Sequence, residues 1–269
     1  MAINNSTNMA RKQSTSASKK GTAKSKAEKN VDYAQRRSFD INYDVNSEFE
    51  FLPTHKSFVE LTLKRDTNIV IVDGPAGTAK TYCAVYIALS LLKTRCKDSI
   101  LYIRSIVESA TKKLGSLPGE VEDKFKPWSI PLVEKLEELI DPAYISPLMD
   151  GEYIKCIPVN FLRGSTFRNN VVIIDEAQNL EYSELVTIMT RYGDNCKLLI
   201  IGDSKQADIN TKSGFPQIFK AFNNEESEEE GIYTFKFTDD DITRSQLLKF
   251  IIKQLDKVTR RPRATTKKV

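Results

Sequence analysis

The chain has 269 residues, of which 40% are hydrophobic and 28% charged, with a formal net charge of +4, four cysteines and one histidine. That length suits one large α/β domain or two small ones. No run approaches the roughly 18 apolar residues of a membrane span, and the lysine-rich N-terminus has no apolar stretch to serve as a secretory signal, so a soluble, cytoplasmic protein is expected.

Residues 1–37 carry nine Lys/Arg against Glu28 and Asp32, in a setting of Ser, Thr, Ala and Asn. Such a composition cannot offset the entropy of ordering, which predicts a disordered basic tail. His55 lies in a polar segment far from any nucleophile motif, so it is expected to be solvated and not part of a Ser-His-Asp or Cys-His arrangement. From 68 onward short β-branched runs appear at 68–74, 99–105, 153–159, 170–176, 196–203 and 231–237. Their nearly continuous apolar character predicts parallel strands buried on both faces. Between them, 81–94, 131–140, 183–192, 215–222 and 245–258 have helical period, and the alternation predicts a doubly wound α/β fold with a mainly parallel sheet. The acidic run 225–231 is expected to be a solvated loop. Cys83, Cys96, Cys156 and Cys196 are scattered without a C-x-x-C pair, which excludes zinc-ligand and disulfide-framework spacing. One domain over 38–258 uses all the periodic sequence. The end of the chain, with seven basic residues against Asp256 in 253–269, is expected to be a second disordered basic tail from 259. The body between the tails is therefore acidic.

Gly74, Pro75, Ala76, Gly77, Thr78, Ala79, Lys80 and Thr81 stand between an apolar strand and a helix with the spacing G-x-x-x-x-G-K-[ST], except that Ala79 replaces the second glycine. A glycine turn of this kind lets backbone N–H groups curl around phosphate oxygens at the positive end of the next helix. Lys80 is expected to reach the β- and γ-phosphates of ATP and the Thr81 hydroxyl to ligate Mg2+. Ala79 is the weak point, because its Cβ enters a loop that normally approaches the phosphates closely. Asp175 and Glu176 end a buried strand, where an open α/β sheet places its ligands. Asp175 is expected to hold the magnesium through water and Glu176 to orient and polarise the water that attacks the γ-phosphate. Gln206, after the strand that ends in Gly202-Asp203, is expected to touch the γ-phosphate, with Asp203 bracing the loop.

These residues resemble the PhoH family of P-loop ATPases, which are similar to the first RecA-like domain of superfamily 1 helicases. The resemblance runs from about Phe51 to Val258 and rests on GPAGTAKTY (74–82), KLGSLPGE (113–120), FLRGSTFRNNVVIIDEAQN (161–179), TRYGDNCKLLIIGDSKQADI (190–209), TKSG (211–214) and DDDITRSQLL (239–248). It implies a single RecA-like P-loop NTPase domain with Lys80, Glu176, Gln206 and Arg244 as catalytic residues. Arg244 would contact the γ-phosphate, often from a neighbouring subunit. Arg163 matches a family arginine to which the sequence assigns no role. Ala79, Ser105 after Arg104, and Ser116 depart from the family's usual glycine, proline and aromatic residue, and the family's upstream glutamine is not evident around Pro53-Thr54-His55-Lys56.

One RecA-like domain implies motor action only by assembly, so a homo-oligomer is expected, a hexameric ring in which each crevice is completed by the next subunit. The basic tails suggest RNA or single-stranded nucleic acid as partner, held nonspecifically. Neither the nuclease nor the RNA-binding segment that some relatives carry is expected in the chain, and a bacterial or phage source is expected, with a place in the host cytoplasm if it is phage-encoded. The leading expectation is an ATPase coupled to such a partner. The alternative is a nucleotide-binding interaction protein with little or no turnover, and a P-loop kinase is disfavoured by the Asp175-Glu176 pair.

Overall fold

The computed structural model describes residues 42–46, 48–104, 121–159, 162, 166–206, 212–243, 247, 250, 251 and 254, with only the backbone of 121–128. Both expected tails lie outside these residues. All six expected strands form: β1 (Ile69–Asp73), β2 (Ser99–Arg104), β3 (Ile154–Pro158), β4 (Asn170–Asp175), β5 (Lys197–Gly202) and β6 (Ile232–Lys236). They make one sheet in the order β3-β2-β4-β5-β1-β6, parallel throughout. β1 and β5 are buried along their whole length and β4 is nearly so, as their continuous apolar runs require of a sheet covered on both faces.

Seven α-helices are found among the described residues: α1 (Pro53–Leu63), α2 (Lys80–Lys93), α3 (Val121–Leu139), α4 (Ile145–Asp150), α5 (Tyr182–Met189), α6 (Phe215–Ala221) and α7 (Glu225–Glu229). Ile69, Ile71, Leu101, Ile103, Val172, Ile174, Leu198 and Ile200 face α5 and α6 through Leu185, Ile188, Phe215 and Ile218. The alternate residues of the same strands, including Tyr102 and Asp175, point to the other face, which α2 covers. No described helix is long and apolar enough to cross a membrane.

Four elements differ from expectation, of which α4 (Ile145–Asp150) lies in a stretch where no helix was expected. α1 was not foreseen because its buried face is His55, Phe58 and Thr62, a helical spacing with one apolar member. α3 starts at Val121 and runs through Pro127 and Pro131, although Pro131 reads as a helix start. The acidic run is not a loop throughout, since Glu225–Glu229 is helical. Asn224 Oδ1 caps it by accepting from Ser227 N at 2.9 Å, and its glutamates sit in the first turn, where the helix dipole favours negative charge. Of the expected helix 245–258, Leu247, Phe250, Ile251 and Gln254 are helical and the rest lies outside the described residues.

Candidate active site

The strand order sets the carboxyl ends of β4, β5 and β1 side by side, and the loops leaving them wall a cleft of about 530 Å3. Its lining includes Gly77, Ala79, Lys80, Thr81, Asp175, Glu176, Asp203 and Gln206. Residues expected from three separate strand ends are thus brought to one place, and Pro75 and Thr78 build the loop from behind.

Gly74 starts the nucleotide-type loop hard against the end of β6, where a Cβ would lie 2.6 Å from Phe237 Cβ. Gly77 turns the loop at φ 85°, and Ala79 follows at φ 52°, ψ 26°, in the left-handed region. The departure from glycine is therefore felt in the backbone, since this region costs an L-residue about 1–2 kcal/mol. Ala79→Gly is expected to raise unfolding free energy by up to about 1 kcal/mol, after subtracting glycine's larger unfolded-state entropy. A urea midpoint that stays put or falls, at unchanged slope, would show that the turn carries no strain.

Lys80 Nζ donates to the carbonyls of Gly74 (2.7 Å) and Pro75 (2.8 Å), so the ammonium spans the mouth of its own loop. Burial lowers its pKa, opposed by the negative charges of Asp203, Asp175, Glu176 and Asp73. Thr81 Oγ1 donates to Asp175 Oδ1 (3.0 Å), which also accepts from Glu176 N (3.1 Å). Asp175 Oδ2 accepts from the buried Tyr102 hydroxyl at 2.5 Å, and burial together with the Asp175 charge keeps that phenol protonated. Glu176 turns out of β4 at φ 56°. Gln178 Nε2 donates to its Oε2 (2.6 Å), and Arg104 Nη2 lies 3.6 Å from its Oε1. Gln178 Oε1 in turn accepts from Asp203 N (3.1 Å), which links the ends of β4 and β5.

Asp203 braces its loop as expected, with Oδ1 accepting from Lys205 N (3.0 Å). Burial raises its pKa, and its Oδ2 is buried without a hydrogen-bond partner. Asp73, ahead of the loop, accepts from Ser204 N and Ser204 Oγ (both 2.9 Å) and so joins β1 to the Gln206 loop. Arg244 and Arg163, like Ser105 and Ser116, lie outside the described residues. Next to Arg244, Thr243 lines the cleft and its N donates to Gly77 O (3.1 Å).

His55 corrects the expectation of a solvated ring. It is fully buried, Nδ1 accepts from Leu52 N, and Nε2 bonds the Thr78 carbonyl, each at 3.1 Å. Because Nδ1 is an acceptor, the neutral ring carries its proton on Nε2 and donates it to the loop. Phe49, Phe51 and Phe237 surround the ring. Burial lowers the His55 pKa, against the Thr78 carbonyl and Asp241. The unfolded chain, near the ordinary 6.5, takes the proton first, so stability is complete above that value and declines as pH falls through it. Denaturation midpoints from pH 7.5 to 5 should therefore drop more steeply for wild type than for His55→Gln. Parallel pH profiles would refute this role.

Sequence reasoning missed Tyr102, Arg104's link to Glu176, Gln178, Asp73 and Thr243. Asp73 and Arg104 carried a signal, since each ends an apolar strand at the carboxyl edge of the sheet. Tyr102 lies inside an apolar run and carried none.

Comparison with known proteins shows the family to which the chain is similar. A family model described as "PhoH-like protein" matches residues 54–256. A PhoH-like protein of Synechocystis is 38% identical over 155 residues, 57% of this chain and 46% of the relative. One of Bacillus subtilis is 34% identical over 200 residues, 72% of this chain and 60% of the relative. Protein PhoH2 of Bacillus subtilis is 36% identical over 158 residues, 56% of this chain and 35% of the relative. The chain spans about half the length of the relatives it matches first.

Proposed function

The chain belongs to the PhoH-like family, and from that premise we propose that it binds ATP with Mg2+ in the cleft between β1, β4 and β5 and hydrolyses it. The observation that supports this reading most is the meeting of Lys80, Thr81, Asp175, Glu176 and Gln206 around one cleft. The donor set fits magnesium, since Thr81 Oγ1 and Asp175 Oδ1 are hard oxygens within 3.0 Å of each other. Among the described residues no group of three or more His, Cys, Asp and Glu side chains forms a metal cage, and magnesium held largely by substrate phosphates needs none. When bound, the ion neutralises charge on the β- and γ-phosphates.

The chain's own residues then divide the work. Backbone N–H groups of 76–81 and the N-terminus of α2 cradle the phosphates. Lys80 exchanges the Gly74 and Pro75 carbonyls for phosphate oxygens. Glu176 accepts a hydrogen bond from the attacking water and aims it, while Gln206 touches the γ-phosphate. Through Gln178, the state of Glu176 is tied to the backbone of Asp203. Arg244 would complete the crevice of a neighbouring copy in a homo-oligomer, a hexameric ring. The core of 38–258 lies between basic tails that attract RNA or single-stranded nucleic acid.

A second reading, a nucleotide-holding protein with little turnover, draws support from Glu176, because both its carboxylate oxygens are engaged by Arg104 and Gln178. Phosphate release measured with RNA, single-stranded DNA and duplex, together with oligomeric state by light scattering, separates the two. Turnover that rises with a single-stranded partner in an assembled state is expected. ATP binding without turnover under every condition would favour the second reading, and monomer at all concentrations would remove the ring.

A further inference from the structure

We propose that Tyr102 is a positioning residue that holds the Asp175 carboxylate in the orientation it needs toward magnesium, a role that rests on the magnesium-nucleotide reading above. In the parallel register of β2 and β4, Tyr102 pairs with Ile173 and Arg104 pairs with Asp175. Side chains alternate along each strand, so Tyr102, Ile173 and Asp175 share the face that α2 covers, and Asp175 is the diagonal neighbour within reach of a long aromatic side chain. Tyr102 is fully buried, and its hydroxyl meets Asp175 Oδ2 at 2.5 Å. An ionised carboxylate only accepts, so the phenol is the donor, and a charge-assisted bond of this length in an apolar setting is a strong one.

The other oxygen has different partners. Oδ1 accepts from Thr81 Oγ1 (3.0 Å) and from Glu176 N (3.1 Å). The carboxylate is thus divided, with Oδ2 anchored in the core by Tyr102 and Oδ1 turned to the Thr81 hydroxyl, with which it would hold the metal. Without the phenol, Oδ2 is a buried acceptor that has lost a donor, and rotation of the carboxylate to find another swings Oδ1 away from Thr81. Tyr102 is not part of the cleft wall and touches no expected position of the nucleotide, so it acts through Asp175. It ties together three elements, β2, β4 and α2, and fixes the metal-side oxygen before any ligand arrives.

The test uses the full chain with Tyr102→Phe, which removes one oxygen and keeps the ring. A non-hydrolysable ATP analogue is titrated without metal, and Mn2+ binding to the protein–analogue complex is followed by electron paramagnetic resonance. Metal-free affinity should stay as in wild type, while Mn2+ affinity should fall about 10- to 100-fold, the usual effect of losing a partner of a metal ligand. In an Asp175→Asn background, the same Phe substitution should cost no further metal affinity. Wild-type Mn2+ affinity in Tyr102→Phe, or a loss that adds in full to that of Asp175→Asn, overturns the proposal. Site-specific 3,5-difluorotyrosine at 102, which keeps the ring and makes a more acidic donor, covers a phenylalanine variant that does not fold. There an altered Mn2+ affinity supports the role and an unchanged one overturns it. A wild-type chain that binds the analogue equally well with and without metal removes the magnesium reading itself, which distinguishes that failure from failure of Tyr102 alone.

Discussion

Glu176→Gln is expected to slow ATP turnover about 10²- to 10⁴-fold, the range that a positioned general base supplies, while nucleotide affinity changes only a few-fold. The substitution keeps the size of the side chain and its place at φ 56°, and it removes the charge that we propose accepts the water's proton. Lys80, Thr81 and the loop backbone, to which we assign the binding, are untouched. The Arg104 guanidinium, 3.6 Å from Glu176 Oε1, loses its ionic partner, and Gln178 keeps an acceptor for its amide. Phosphate release against equilibrium binding of a labelled nucleotide reads both quantities. Equal background rates in the two proteins would end the hydrolase reading and leave the nucleotide-holding one.

Lys197→Met is expected to cost about 3 kcal/mol or more of stability, because three buried or half-buried carbonyls lose their donor at once and each such loss costs about 1–3 kcal/mol. Lys197 is 3% exposed at the start of β5, and its Nζ donates to Thr62 O (2.6 Å), Lys64 O (2.8 Å) and Thr67 O (2.6 Å). It closes the C-terminal end of α1, where backbone carbonyls have no helical partner. Relief of the lysine's own desolvation offsets part of the loss. Burial, then the nearby Lys97 charge, lowers the Lys197 pKa to about 8 from 10.5. Between those values the unfolded chain binds the proton and the folded chain has released it, so this group makes stability rise with pH from about 8 toward 10 and adds no slope below 8. Denaturant midpoints across that range should climb in wild type relative to Lys197→Met. A variant as stable as wild type, or a wild-type midpoint falling relative to it over this window, would contradict the assignment.

These residues show which parts of the molecule can be read in a linear chain. The glycine-rich loop was legible because its pattern is local: Gly74, Gly77, Lys80 and Thr81 lie within one turn and one helical start. Asp175, Glu176 and Gln206 were legible because each follows a strand whose end must reach the carboxyl edge of a parallel sheet. His55 was misread because polar neighbours in sequence suggest solvent, whereas its helical neighbours Phe58 and Thr62 go inward with it. The run 225–231 was misread because charge density speaks of exposure and not of conformation. Glu225, Glu226, Glu228 and Glu229 are exposed and still helical, held by the Asn224 cap.

By itself, then, the sequence determined the six strands, most of the helices between them, the glycine-rich loop between β1 and α2 and the two acidic residues opposite it. Periodicity and short-range backbone chemistry set each of those within a few residues, apart from the start of α3 at Val121. Only the tertiary structure decided which buried polar group answers which: Tyr102 to Asp175 across 73 positions, His55 to Thr78 across 23, and Lys197 to Thr62 across 135. The physical reason is that a buried donor must find an acceptor wherever strand order and register place one. Those partners belong to the packed sheet and not to any stretch of the chain.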